Sequence, residues 1–339
     1  MDEKLTTPKW IDEHWHEGRD WLLANRDKCI ADTGTVITHE SFRRLIRKVA
    51  KERGEQEPEK VEDLPQLLRQ LGEQFSEEEI RAIVKGSKLG DKVHGSTHTI
   101  RRDGEYHTFG VMSDTHLGSL HTSEERMLEA FGTFRDREIE TILHPGDVVE
   151  GMSNRPGHYQ ELRPEGLGYT RQLNYATQVL SEWEGEIVAI SGNHDRWFMK
   201  SSGADILEAI ASRLPNFAMI GHDVGDLVIE TEYGPLQVGL WHGEDGASYA
   251  TSYRIQKVVE SLPGGRKPHV LLTGHVHKTG YFMERNIHAL LSGCMQSQTP
   301  WMRSKRLAAH TGYWIITIGF NEDGVFSFVP EWFPFYERD

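Results

Sequence analysis

The residues of this chain that could do chemistry fall in five short clusters. Asp114 and His116 stand in SDTH, Asp147 in PGD, Asn193, His194 and Asp195 in SGNHD, His242 in WHG, and His275 and His277 in TGHVH. Carboxylate, imidazole and amide-oxygen donors in one set suit borderline divalent ions such as Mn, Fe or Zn. An all-oxygen set would favour Mg or Ca, and thiolates would favour softer ions. Neither Cys29 nor Cys294 lies in a cluster. A single D-x-H or a lone His is weak evidence, because a His at a strand end more often makes structural hydrogen bonds. Five such clusters in order point to a metal centre. Two ions about 3.5–4 Å apart can lower the pKa of a shared water and clamp the attacking and leaving oxygens of a phosphoryl displacement. Asp147 suits the bridging position, since Gly146 before it lets the backbone approach closely.

The elements that must position these clusters are visible around them. HTFGVMS, TILHPGD, EIVAISGNHD, LQVGLWHG and HVLLTGHVH are apolar runs that end in polar punctuation, the pattern of buried strands. Helical periodicity separates several of them, near 123–138, 170–183, 204–213 and 248–262, which predicts an α/β arrangement. YFMERNIHALLSG, GYWIITIGF and GVFSFVP continue it as consecutive strands. The amino-terminal part reads as a small all-α domain, residues 1–95, ahead of the catalytic domain at 105–339. Thr7-Pro8 opens a helix whose apolar stripe is Trp10, Ile11, Trp15, Trp21 and Leu22. A second helix spans about 39–53, with Phe42, Leu45, Ile46 and Val49 inward and Arg43, Arg44, Arg47, Lys48 and Lys51 on its other faces. Ser76 to Glu79 forms a capping box for a helix through about Lys85. Residues 86–104, rich in Gly, Ser and charge, read as the boundary.

The set SDTH, PGD, SGNHD, WHG and TGHVH resembles the calcineurin-like metallophosphoesterase superfamily, whose pattern is D-x-H, G-D, G-N-H-[DE], H and G-H-x-H. The resemblance covers about residues 107–320. It implies a four-layer sandwich of two mixed β-sheets flanked by helices. It also implies two divalent ions, Mn foremost and Fe, Zn or Mg as alternatives. Asp114, His116 and His277 would then hold the first ion, Asp147 would bridge, and Asn193, His242 and His275 would complete the second. The implied reaction is attack by a hydroxide held between the ions, with His194 helping the leaving oxygen depart and Asp195 orienting His194.

Around these clusters, Arg155 and Arg196 stand where a guanidinium could grip a phosphate oxygen. His144 and His158 read as ordinary loop histidines. Tyr249, Tyr253 and Lys257 fit either nucleotide contacts or a half-buried helix face. The segment LLSGCMQSQTPWMRSKRLAAHTGYW is similar to the matching stretch in the small, exonuclease subunit of archaeal family-D DNA polymerases and in related phage and prokaryotic metallophosphoesterases. Within it, Trp301 beside Arg303, Lys305 and Arg306 suits a base stacked next to a phosphate backbone.

The expected function is hydrolysis of nucleic-acid phosphodiesters, as a 3′ to 5′ DNA exonuclease or a related nuclease. A small-molecule phosphodiesterase or phosphomonoesterase is the alternative, and a non-catalytic accessory subunit is less favoured because no ligand is missing. The expected partners are DNA and a protein, and the amino-terminal helices, with the pattern of a helix-turn-helix or another interaction module, could contact nucleic acid or the protein partner. With 52 acidic against 38 basic residues and a formal charge of -14, the chain does not coat nucleic acid through bulk charge. The first residues, MDEKLTTPKW, lack a secretory pattern, and no apolar run is long enough to span a membrane. A soluble, cytoplasmic protein with reduced cysteines is expected.

Overall fold

Strands that are apolar on both faces need cover on both sides, and here they find it in a second sheet and in helices. The computed structural model describes residues 5–17, 19–53, 97–243, 251–263 and 267–336. The chain divides into two compact units, Met1–Ile83 and Val84–Asp339.

In the second unit the strands are β1 (Thr97–Arg101), β2 (Tyr106–Val111), β3 (Thr141–His144), β4 (Glu186–Ser191), β5 (Phe217–His222) and β6 (Val224–Thr231). They continue with β7 (Gly234–Trp241), β8 (Val270–Thr273), β9 (Thr279–Glu284), β10 (Ile287–Ser292), β11 (Gly312–Asn321) and β12 (Gly324–Pro334). They form two six-stranded sheets, in the orders β12-β11-β2-β3-β4-β5 and β1-β6-β7-β8-β10-β9. Neighbours β2 to β5 run parallel, as do β1 with β6 and β7, β8 and β10, while the antiparallel pairs β2–β11, β11–β12, β6–β7 and β9–β10 make both sheets mixed. Parallel neighbours require long crossovers. The helices Glu124–Asp136, Tyr169–Leu180 and Ile206–Ala211 supply them in the first sheet, and Thr251–Ser261 links β7 to β8.

Burial follows from this order. Phe109, Val111, Leu143 and Val188 of the first sheet pack against Leu227, Val238, Leu240 and Leu272 of the second. Met127, Phe131 and Phe134 join Leu173 and Ile206 over the outer face of the first sheet, and Ile255 and Val259 cover Leu271 and Ala289 of the second. The result is the expected four-layer α/β sandwich. Two of these crossover helices start at side-chain caps: Ser123 accepts from the Arg126 amide at 3.3 Å, and Asp205 from Leu207 and Glu208 at 3.1 and 3.2 Å.

Three strands fall where the apolar runs do not announce them. β1 lies inside the stretch read as a boundary. Its side chains alternate between exposed and half-buried, so it has no apolar run, and parallel pairing with β6 holds it. Only Asp223, at φ 61°, separates β5 from β6, so the chain changes sheets without a turn signal.

The first unit contains α1 (Thr7–Glu13), α2 (Arg19–Ala24), α3 (Arg26–Thr33) and α4 (His39–Glu52). Trp10, Ile11, Leu22, Phe42, Ile46 and Val49 form its core, and Arg43, Arg44 and Lys48 are exposed on α4. The stripe from Trp10 to Leu22 is not one helix. The chain leaves α1 at His14, whose ring stacks 4.2 Å from Trp10 and 5.7 Å from Trp21, and a single turn at Trp15–Glu17 precedes α2. The capping box at Ser76 and its helix lie outside the described residues. Cys29 and Cys294 are free and buried. No helix among the described residues is long and apolar enough to cross a membrane.

Candidate metal centre and active site

Each of the five clusters follows the carboxyl end of a strand: β2, β3 and β4, adjacent in the first sheet, and β7 and β8, adjacent in the second. In open α/β sheets this edge is where loops converge on ligands. Asp114, His116, Asp147, His275 and His277 all have positive φ, between 47° and 75°. Residues other than Gly rarely adopt this conformation, and it persists where the surroundings enforce it, most often at functional sites.

The side chains meet in two overlapping groups. His116 Nε2 lies 3.1 Å from His277 Nε2, which is 3.3 Å from Asp114 Oδ1. His242 Nε2 lies 3.1 Å from both Asp147 Oδ2 and Asn193 Oδ1, and Asn193 Oδ1 is 2.8 Å from His275 Nδ1. Asp147 Oδ2 is also 3.8 Å from His116 Nε2, so its carboxylate stands between the groups. The sets Asp114–His116–His277 and Asp147–His242–His275 each bring their donor atoms within 4.8 Å of one another.

The chemistry of the donor set fits divalent ions. His242 Nδ1 donates to the Pro145 carbonyl at 2.8 Å, which in a neutral ring turns the lone pair of Nε2 toward two oxygens. Acceptors facing acceptors need a positive charge between them. Two of the imidazoles, those of His242 and His277, are shifted toward carrying that charge. Burial disfavours a charged His242, yet Asp147 and Asp114 raise its pKa to about 9. His277 is likewise pushed well above the ordinary value against its burial, with Cys294 and Asp114 beside it. Burial would raise the Asp114 carboxyl, but His277 outweighs it and holds the pKa at about 2. Asp147 is held well below the carboxylate range by His242 and His194 in the same way.

Backbone packing fixes the spacing. A Cβ on Gly146 would strike the His242 ring, and one on Gly192 would fall 2.6 Å from His242 Nε2 and closer still to Asp147. Gly192→Ala should therefore weaken Mn²⁺ binding by at least the roughly 10–100-fold lost when a ligand's support is removed. Titration calorimetry on folded protein checks this, and unchanged affinity would mean that these loops yield freely.

His194 donates from Nδ1 to the Glu150 carbonyl at 2.8 Å, and its ring lies 3.8 Å from the Trp197 ring centre. Burial lowers its pKa to about 4. The role expected of Asp195 needs correction. Its carboxylate accepts backbone amides of Val148, Val149 and Gly192 at 3.2, 2.8 and 2.8 Å and has no bond to the His194 ring. It ties the β3 and β4 loops together, and burial lifts its pKa to about 7.

Glu150 escaped sequence reasoning. It is buried, with Oε2 2.9 Å from His116 Nδ1 and 3.0 Å from Gln296 Nε2, and Oε1 2.9 Å from His158 Nε2. It thus fixes His116 with Nε2 toward the site. His158 is correspondingly a buried part of this network and not an ordinary loop histidine. His144 is also buried, 3.1 Å from the Thr115 hydroxyl.

A cavity of about 410 Å³ opens over the groups, lined by His116, Asp147, Asn193, His194, His275 and His277 together with Arg155, Trp197, Trp301 and Met302. Of the expected substrate contacts, Arg155 and Trp301 line it. Arg196 does not: it pairs with Asp223 at 2.7 Å and with the Gly192 carbonyl at 3.2 Å. Arg303 is also outside the lining, exposed and 3.4 Å from Gln298 Oε1. Lys257 lies over the exposed Tyr253 ring, away from the cavity, and Tyr249 falls outside the described residues.

Fold and site together define a phosphoesterase class. Residues 108–305 match the calcineurin-like phosphoesterase superfamily domain, more than half of the chain, and the protein belongs to that superfamily. The family implies divalent metals, which the two donor groups fit. Among named proteins, the chain is 28% identical over 240 residues to the DNA polymerase II small subunit of Halobacterium salinarum, covering 58% of this chain and 45% of that one. It is 24% identical over 239 residues to the DNA polymerase II small subunit of Methanothermobacter thermautotrophicus, covering 57% and 48%. The chain thus spans about half the length of these relatives. A novel archaeal phosphodiesterase of known structure is 16% identical, with a TM-score of 0.40, over 67% of this chain and all of that one.

Proposed function

We propose that this protein is a divalent-metal-dependent phosphodiesterase that cleaves DNA, as a 3′ to 5′ exonuclease or a closely related nuclease. The observation that carries the reading is the complete convergence of Asp114, His116, Asp147, Asn193, His242, His275 and His277 beneath one cavity with His194 at its wall. Asp114, His116 and His277 would hold one ion and Asn193, His242 and His275 the other, with Asp147 shared between them. When bound, the ions supply Lewis acidity toward the phosphoryl group and lower the pKa of water.

The chain's own residues do the rest. Glu150 holds His116 through Nδ1, and its carbonyl holds His194 through Nδ1, leaving His194 Nε2 free for proton transfer. A phosphate anion brought beside His194 favours its charged form and offsets the burial that lowers its pKa, so the ring can protonate a departing oxygen. Similarity to polymerase small subunits over more than half of the chain supports DNA as the substrate. A small-molecule diester remains the second reading, favoured by the limited cavity of about 410 Å³.

With Mn²⁺ added, the protein should hydrolyse bis-p-nitrophenyl phosphate, and an unlabelled oligonucleotide should inhibit that turnover competitively. Turnover unaffected by saturating DNA would favour the small-molecule reading. The exposed Arg43, Arg44 and Lys48 support α4 as a second DNA contact. Reversing the three charges should weaken DNA binding and flatten its salt dependence by up to about three counterions. Unchanged affinity and salt slope would point instead to a protein partner at α4.

A further inference from the structure

The ions and a phosphate need only the Asp- and His-lined part of the cavity, and the rest of its lining has a different chemistry. Trp301 presents an indole that is 40% exposed at the rim. It sits on the short helix Pro300–Ser304, whose first turn is pinned by Thr299, which accepts the Met302 amide at 3.1 Å. Arg155, from the loop after β3, lies 4.6 Å over the indole ring, and its guanidinium pairs with Glu161 Oε2 at 2.5 Å. Met302 and Leu307 continue the wall as apolar surface.

The cation is thus already neutralised by Glu161, so it is a poor first receptor for phosphate. Lying over the indole, it backs the large aromatic plane of Trp301 within the lining of the cavity. A planar, weakly polar group joined to the phosphate complements such a wall. Nucleobases are of this kind, and stacking on an aromatic side chain tolerates any of them.

We propose that Trp301, backed by Arg155 and Glu161, is a nucleobase subsite that seats the nucleoside attached to the scissile phosphate. This rests on the phosphodiesterase reading above and narrows it to nucleotide diesters. Every base is accepted, because the wall offers a stacking plane and not a pattern of hydrogen bonds.

The test compares p-nitrophenyl thymidine 5′-phosphate with methyl p-nitrophenyl phosphate, which share a leaving group and differ in the nucleoside. It uses the full-length, Mn²⁺-loaded protein, and calorimetry of thymidine 5′-phosphate against methyl phosphate provides a readout that needs no turnover. The wild type should prefer the nucleoside diester in kcat/KM and bind the nucleotide more tightly. In Trp301→Ala both preferences should shrink roughly ten- to a hundredfold, and Trp301→Phe should restore most of each. Hydrolysis of both diesters with equal preference in wild type and Trp301→Ala would overturn the subsite and leave the phosphodiesterase reading standing. Selective, Trp301-dependent binding of the nucleotide with no hydrolysis of either diester would support the subsite and overturn the phosphodiesterase reading. If neither preference is found by either readout, the subsite is wrong.

Discussion

His194→Ala should keep its metal and lose its turnover. The ring stands at the wall of the cavity, held through Nδ1 by the Glu150 carbonyl at 2.8 Å and packed against the Trp197 ring. No other candidate ligand depends on its side chain for a hydrogen bond: the Asp147 carboxylate takes the His194 backbone amide at 2.8 Å, which alanine retains. The loss should be in kcat, on the order of 10²- to 10⁴-fold, the usual contribution of one general acid or base. Elemental analysis of the purified variant should still find two Mn per chain after loading. One Mn per chain would make His194 a ligand, a placement that its proximity to His116 and Asp147 makes worth measuring.

Asp147→Ala should do the opposite and lose metal first. One carboxylate reaches toward both groups, with Oδ2 3.1 Å from His242 Nε2 and 3.8 Å from His116 Nε2. If it bridges as proposed, its removal would take a donor from each ion and leave buried imidazoles without the charge that balances them. Metal affinity should fall by more than the roughly 10–100-fold seen when only a supporting residue is lost, and activity should fall with it. Asp147→Asn keeps the shape and one oxygen donor but not the charge, so it should bind metal between the wild type and Asp147→Ala. Equal metal content in all three would remove Asp147 from the bridging position.

The candidate ligands could be picked out in the sequence because few residue types can hold a divalent ion, and their clusters sit at strand ends that announce themselves by apolar runs. The supporting residues were not. Glu150 is one of many acidic residues, three positions after Asp147 in GDVVEG, and nothing local says that it is buried against His116 and His158. Gln296 and Trp197 are equally silent, since glutamine and tryptophan serve cores and surfaces alike. Arg196 shows the converse error: next to a motif in sequence, it turns away in space because Asp223 offers it a partner. Asp195 was assigned to the ring beside it, whereas three backbone amides claim its carboxylate. Among the elements, alternation without an apolar run hid β1, and the break at His14 was invisible because no Gly or Pro stands within His14–Glu17 to mark it.

The most direct measurement is digestion of end-labelled single- and double-stranded DNA with Mn²⁺ by the wild type and by Asp147→Ala purified in parallel. A ladder of products shortened from the 3′ end, absent with the variant, is the predicted result. Intact DNA in the presence of active turnover of bis-p-nitrophenyl phosphate would contradict it and make the protein a small-molecule phosphodiesterase.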